Sequence, residues 1–291
     1  RTLVTSRTEV MSSLWVMQAV RPGRFGMARA ITSVNSTWDG MDSLDWTPDD
    51  RILYSSLVSG SGDLWLIDAE GRNRRQITNM KARNHFGTAS PDGRFILFGS
   101  MQGGGQNLWR VPTAGGEPRQ ISVGDSDMEC RYSPDGRWIY YISISSGKRL
   151  LMRMPAEGGP AVRLSETPTY PWHFDVSPDG TRIAFLVFDP VKHGYRFAVI
   201  PSSGGSPVAF VDAPGPEDVR WTHDGTALMY VAAVDGSVNV WARPVDRGPA
   251  WKVTNFGEGS IFRFATSPDG RWLALARGQR LSDVVAIQRT E

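Results

Sequence analysis

The chain has one cysteine, Cys130, and four histidines in 291 residues. A lone cysteine excludes an internal disulfide framework, and its place on an expected inner strand makes Cys130 a small buried hydrophobe. His85, His173, His193 and His223 fall at unlike points of the sequence pattern. A transition-metal centre needs converging ligands, so no metal and no other cofactor is expected. No uncharged apolar run approaches the ~20 residues that cross a bilayer as a helix. Neither sign of charge dominates: 32 basic and 30 acidic side chains leave a formal charge of +2. That removes the electrostatic case for nucleic acid or an anionic membrane surface as partner. The one basic cluster, Arg72 with Arg74 and Arg75, reads as a solvated turn.

Catalytic signatures are missing too. There is no Gly-x-Ser-x-Gly elbow, no Walker loop and no His-Glu-x-x-His. Ser145-Ser146-Gly147-Lys148 has a Ser-x-x-Lys spacing, but it falls in an expected hairpin loop rather than at a helix start. Asn35-Ser36-Thr37 fits a glycosylation acceptor and reads as an ordinary loop.

What is plentiful is punctuation, with 31 glycines and 19 prolines. Much of it recurs as Ser-Pro-Asp-Gly or a near variant: Pro48-Asp49-Asp50, Pro91-Asp92-Gly93, Pro134-Asp135-Gly136, Pro178-Asp179-Gly180, His223-Asp224-Gly225 and Pro268-Asp269-Gly270. The steps between copies are 43, 43, 44, 45 and 45 residues. A fixed period of that size marks stacked supersecondary units. Proline presets φ, aspartate bonds amides two residues on, and glycine accepts positive φ, so the motif is a tight hairpin turn.

Short apolar runs follow each turn: Phe95-Ile96-Leu97-Phe98, Trp138-Ile139-Tyr140-Tyr141, Trp272-Leu273-Ala274-Leu275. They read as strands. A third strand is marked by Leu14-Trp15, Leu64-Trp65, Leu108-Trp109 and Val240-Trp241, and a fourth by Ile77-Thr78, Ile121-Ser122 or Val253-Thr254. The unit is thus one four-stranded antiparallel blade, and the fold class an all-β propeller. The whole of 1–291 is expected to be one propeller domain, with repeats at about 1–32 (partial), 33–78, 79–122, 123–165, 166–211, 212–254 and 255–291 (partial).

Blade number turns on the ends. Arg1–Arg7 matches a second strand, and Ser282–Ile287 a third. Counted so, there are six first, seven second and seven third strands, which favours seven blades. In the six-bladed alternative Ala28–Thr32 completes the last blade and residues 1 to about 20 are surplus. An opening inside a repeat also suggests the C-terminal part of a longer polypeptide.

With the repeats aligned, the chain resembles the TolB-type propeller family in its Ser-Pro-Asp-Gly turn, its Leu-Trp strand and the ending Arg75-Gln76-Ile77-Thr78. A narrower resemblance lies in Leu273–Gly278, Ser282–Ile287 and Tyr195–Ile200. These look like the C-terminal propellers of bacterial, acidobacterial-type receptor serine/threonine kinases and transmembrane winged-helix regulators. The resemblance implies a non-catalytic sensor or interaction module of a signalling protein. It would lie outside the cytoplasm, tethered through an upstream membrane span, although a cytoplasmic site stays open. A free-standing TolB-like envelope scaffold is the first alternative, and a propeller gating a peptidase or hydrolase the second. A metal-dependent propeller lyase is disfavoured by the scattered histidines.

The candidate site follows from strand alternation. The residue before each Ser-Pro packs between blades, so those one and three places earlier face the axis. They are Asp45 and Ser43, Thr88 and Phe86, Arg131 and Glu129, Asp175 and His173, Arg220 and Asp218, Ala265 and Arg263. Two accounts compete for the charged ones. Salt bridges and trapped water fill the channel, or Arg131, Arg220 and Arg263 form a pocket for a small anionic or carbohydrate ligand at the channel mouth. An unidentified protein is the other partner considered. Asp92, Asp135, Asp179 and Asp269 recur in the turns and read as caps rather than catalysts.

Overall fold

The computed structural model describes residues 2–34, 38–165, 173–215 and 218–288; Asn35-Ser36-Thr37 lies outside them. Among the described residues, twenty-four strands form six four-stranded antiparallel sheets. The N-terminal segment forms β1 (Thr2–Arg21) and β2 (Arg24–Ala30). Blade 1 is β3 (Leu44–Trp46), β4 (Arg51–Ser56), β5 (Asp63–Asp68) and β6 (Arg75–Gln76). Blade 2 is β7 (Asn84–Ala89), β8 (Phe95–Ser100), β9 (Asn107–Pro112) and β10 (Arg119–Gln120). Blade 3 is β11 (Asp127–Tyr132), β12 (Trp138–Ser145), β13 (Lys148–Pro155) and β14 (Val162–Arg163). Blade 4 is β15 (Phe174–Val176), β16 (Arg182–Asp189), β17 (Gly194–Pro201) and β18 (Ala209–Ala213). Blade 5 is β19 (Val219–Trp221), β20 (Ala227–Val234), β21 (Ser237–Pro244) and β22 (Trp251–Lys252). Blade 6 joins β23 (Ser260–Thr266) and β24 (Trp272–Gln288) to β1 and β2.

Six blades therefore replace the expected seven. The correction has one cause. β1 and β24 are single long strands paired from Thr2↔Gln288 to Gln18↔Trp272. Sequence reading had split each in two. Arg1–Arg7 became a seventh second strand, but from Thr2 onward this segment is the start of the third strand of blade 6. Ser282–Ile287 became a seventh third strand, but it is the end of the second. Nor are residues 2–21 surplus, because they supply the strand that closes the ring.

Each turn motif is built as its chemistry requires. In blade 2, Ser90 Oγ donates to Asp92 Oδ1 at 2.6 Å and Asp92 accepts from the Arg94 amide at 3.0 Å, with Gly93 at φ 72°. Asp135, Asp179, Asp224 and Asp269 repeat this geometry. A ring of steric contacts links the turns: a Cβ on Gly93, Gly136, Gly180 or Gly225 would touch the proline of the preceding blade's turn, and one on Gly270 would touch His223. The Ser145–Lys148 segment is a hairpin turn, with those two residues paired across it.

Apolar packing lies between blades. Leu14, Ala274 and Ala276 of blade 6 cluster with Trp46, Ile52 and Tyr54 of blade 1. Trp46 donates its indole N–H to the Ala265 carbonyl at 3.0 Å, tying blade 1 to blade 6. Among the described residues no helix is long and apolar enough to cross a membrane.

Candidate functional site

The axis-facing positions lie on the inner strands β3, β7, β11, β15, β19 and β23, except that Ser43, His173 and Asp218 stand one residue before β3, β15 and β19. Contacts between blades that are not neighbours show that these side chains span the channel. Arg220 of blade 5 donates to the Leu44 carbonyl of blade 1 at 3.4 Å, and Arg263 of blade 6 lies 5.1 Å from the Phe86 ring centroid of blade 2. Some of the inner strands are bulged. The β7–β8 and β11–β12 ladders slip at His85/Thr88 and Met128/Cys130, leaving Phe86 at φ 53° and Glu129 at φ 40°. A bulge re-aims the side chain it carries, and Glu129 is 1% exposed.

Seven of the eight predicted site residues form one chain of ion pairs. His173 Nδ1 is 3.1 Å from Glu129 Oε1 and 4.0 Å from Asp218 Oδ1. Asp218 Oδ2 is 3.3 Å from Arg263 Nη1 and 3.9 Å from Arg220 Nη2. Asp175 Oδ1 then lies 3.6 Å from both Arg220 Nη1 and Arg131 Nε. The eighth, Asp45, lines a cavity of about 300 Å³ with Arg131, Asp175 and Arg220, on the side of the channel where the turn motifs lie.

The three arginines do not converge. Arg131 and Arg220 flank Asp175 at that mouth, whereas Arg263 pairs with Asp218 and donates to the Met41 carbonyl at 2.9 Å. Arg131 Nη1 donates to the Cys130 carbonyl at 2.8 Å, but the contacts of the mouth pair to Asp175 are long. Contacts of 3.6 Å exceed the 2.7–2.9 Å typical of charge-assisted hydrogen bonds, and among the described residues the buried Nε atoms of both arginines have no hydrogen-bond partner.

Protonation follows from this packing. Burial pushes the Asp175 carboxyl up, opposed by Arg220 and Arg131. Asp218 is also penalised by burial, but Arg220, Arg263 and His173 outweigh that and bring it down to about 2. Burial pulls His173 down; the charge and hydrogen bond of Glu129, with Asp218 beside it, outweigh burial and raise it. With His173 protonated, the eight groups carry four positive and four negative charges.

Glu129, His173 and Asp218 also bring potential metal-ligand atoms within 4.8 Å of one another. Their donors are already committed to one another and to Arg263, and a cation would have to displace that arginine. The donor set therefore fits an ion-pair network better than a metal centre. Sequence reasoning missed His223, which lines the mouth cavity beside Trp221. Its signal was in view, since it stands where the other repeats have proline.

A ring of six four-stranded antiparallel sheets around an ion-paired channel defines a β-propeller. Residues 44–202, more than half of the chain, match the TolB beta propeller domain family. The chain belongs to that family. It is 29% identical over 103 residues to the uncharacterized protein Atu1656 of Agrobacterium fabrum, a match covering 35% of this chain and 33% of that protein. The match thus spans about a third of that curated relative's length. Among solved structures, an Agrobacterium tumefaciens protein provisionally designated TolB superposes with a TM-score of 0.73 at 20% identity, covering 92% of this chain and 98% of that one. TolB from Acinetobacter baumannii gives 0.66 at 18% identity over 94% and 66%. Structures of similar shape also include enzymes, a gluconolactonase and oligogalacturonate lyases. At such identities the likeness is one of fold.

Proposed function

We propose that this chain is a non-catalytic recognition propeller that takes a small polar anion, or a carboxylate offered by a protein partner, at the mouth lined by Asp45, Arg131, Asp175 and Arg220. The observation that carries the reading is the pair of guanidinium groups flanking Asp175 at 3.6 Å, each with a buried Nε that has no hydrogen-bond partner among the described residues, beside a cavity of about 300 Å³. Arg groups so placed can hold a carboxylate through two parallel N–H donors. Arg263 belongs to the supporting network rather than to the contact surface.

Two settings fit this chemistry. Family membership and the likeness to solved TolB structures support an extracytoplasmic, TolB-like scaffold that binds another protein. A sensor propeller of a bacterial signalling protein, kinase or winged-helix regulator, would use the same mouth.

The test is calorimetric titration of citrate and glucuronate into the parent and into an Arg131→Ala/Arg220→Ala variant shown to be folded. Saturable binding by the parent, weakened about tenfold or more in the variant, supports the site; each tenfold is about 1.4 kcal/mol. Binding that survives the double substitution unchanged would sink it.

A further inference from the structure

The junction between blades 5 and 6 is built unlike the others. At four junctions an arginine crosses to the carbonyl that follows the neighbour's third strand: Arg75 to Thr113, Arg110 to Ala156, Arg153 to Ser202 and Arg29 to Ala69, at 2.6–3.3 Å. Between blades 4 and 5, Arg182 fills the gap instead. It stacks 4.6 Å from the Trp221 ring centroid and donates to the Gly225 carbonyl at 2.9 Å.

The strand registers show what blade 5 has at these three arginine-bearing positions. The third-strand site of Arg110 and Arg153, opposite Leu97 and Tyr140, corresponds to Ala242 opposite Met229. The fourth-strand site of Arg75, opposite Leu66, corresponds to Trp251 opposite Ala242. The second-strand site of Arg182, opposite Pro201, corresponds to Ala227 opposite Pro244. Among the described residues, no arginine bridges blades 5 and 6 in this way. His223 replaces the turn proline at the same place.

The unfilled space is a cavity of about 610 Å³. That volume lies within the range of small-ligand pockets. Its walls are apolar, with Met229, Ala242, Trp251 and Val253 on one side and Ala19 and Phe25 on the other. Its rim is cationic. β1 and β2 end in a tight turn at Pro22-Gly23, with Gly23 at φ 69°, and this sets Arg21 directly across from Arg24. Like charges placed opposite repel. Both arginines are exposed, line the cavity, and have no carboxylate partner among the described residues. The acidic groups on the same rim are engaged elsewhere: Asp224 with Thr222 and Thr226, and Asp269 with Ser267 and Arg271.

We propose that this junction is a second binding site, separate from the channel mouth, for a small anion with an apolar body: a carboxylate or sulfonate whose hydrocarbon part occupies the space other junctions give to an arginine side chain, and whose charge meets Arg21 and Arg24.

The probes are the anionic 1-anilinonaphthalene-8-sulfonate and its uncharged relative N-phenyl-1-naphthylamine, followed by fluorescence. The parent binds both saturably at one site. Ala242→Arg restores the missing plug and weakens both by about tenfold or more. Arg21→Ala/Arg24→Ala, two changes on an exposed turn that leave folding intact, weakens the sulfonate about fivefold and leaves the neutral probe unchanged. Arg131→Ala/Arg220→Ala leaves both unchanged, which separates this site from the channel mouth. A folded Ala242→Arg protein that binds both probes like the parent overturns the proposal. So does a turn variant that keeps full sulfonate affinity, or a parent showing only non-saturable uptake.

Discussion

A Cβ placed on Gly278 would collide with the carbonyl oxygen of Met11. Gly278 stands opposite Ser12 in the long β1–β24 ladder, and the two backbones cross there so closely that only a hydrogen fits. Gly278→Ala must push apart the two strands that close the ring. A loss of about 1–3 kcal/mol is expected, in the range of overpacking substitutions. Urea titration measures it, and an unchanged midpoint would mean that β1 and β24 do not cross at this residue.

The same glycine explains which part of the fold was legible. Six turn motifs at near-constant spacing made the four-stranded unit and its period legible, because each turn has its own local chemistry, but not the number of blades. Gly278 reads in a sequence as punctuation, although here it serves close approach inside a strand, and this made one long strand look like two. Alternation also picked out seven ionisable residues that the structure joins by ion pairs. Their grouping was not legible. The ladders slip beside Phe86, Glu129 and Arg263, so strict alternation does not tell which side chains meet: Arg263 meets Asp218 while Arg131 and Arg220 flank Asp175. The cavity between blades 5 and 6 depends on residues missing from three equivalent positions, which only the strand registers align.

Trp46 is 4% exposed, and its indole N–H reaches across to Ala265, 219 residues away in sequence. Trp46→Phe keeps most of the apolar contact and deletes the donor. It should cost about 1–2 kcal/mol, the scale of one buried hydrogen bond with its acceptor left behind. Trp221→Phe, which removes the 3.2 Å bond to the Asp175 carbonyl, is the companion variant. If neither lowers the urea midpoint, these bonds do not hold the ring.

The turn carboxylates set the acid limit. Hydrogen bonds from Ser90 and the Arg94 amide bring Asp92 down to about 2, and Ser133 with the Arg137 amide does the same for Asp135. Asp269 also falls to about 2, where bonds from Ser267 and Arg271 outweigh burial. These folded-state values are depressed, so the stability they contribute is complete above the ordinary value of 3.8 and is lost as pH falls towards 2. Urea midpoints should therefore drop between pH 4 and pH 2, and an Asp92→Asn/Asp135→Asn protein should start lower and drop less. Parallel curves for parent and variant would assign the acid limit to other groups.

His173 sets a slope of opposite sign. Its folded value is raised, because Glu129 and Asp218 outweigh the burial that would lower it. A raised value means that the folded protein holds the proton more tightly than the unfolded chain. The contribution is then complete below the ordinary value of 6.5 and disappears as pH rises through the folded value. Once the imidazole is neutral, Glu129 and Asp218 lose their shared cation while remaining buried at 1% and 5% exposure, and the channel charges no longer balance. Stability should fall as pH rises above 6.5. In His173→Gln the group cannot titrate, so the same interval should be flat and the variant should be less stable than the parent at pH 6. A variant that keeps the parent's alkaline slope would show that the proton lost there is not the one between Glu129 and Asp218.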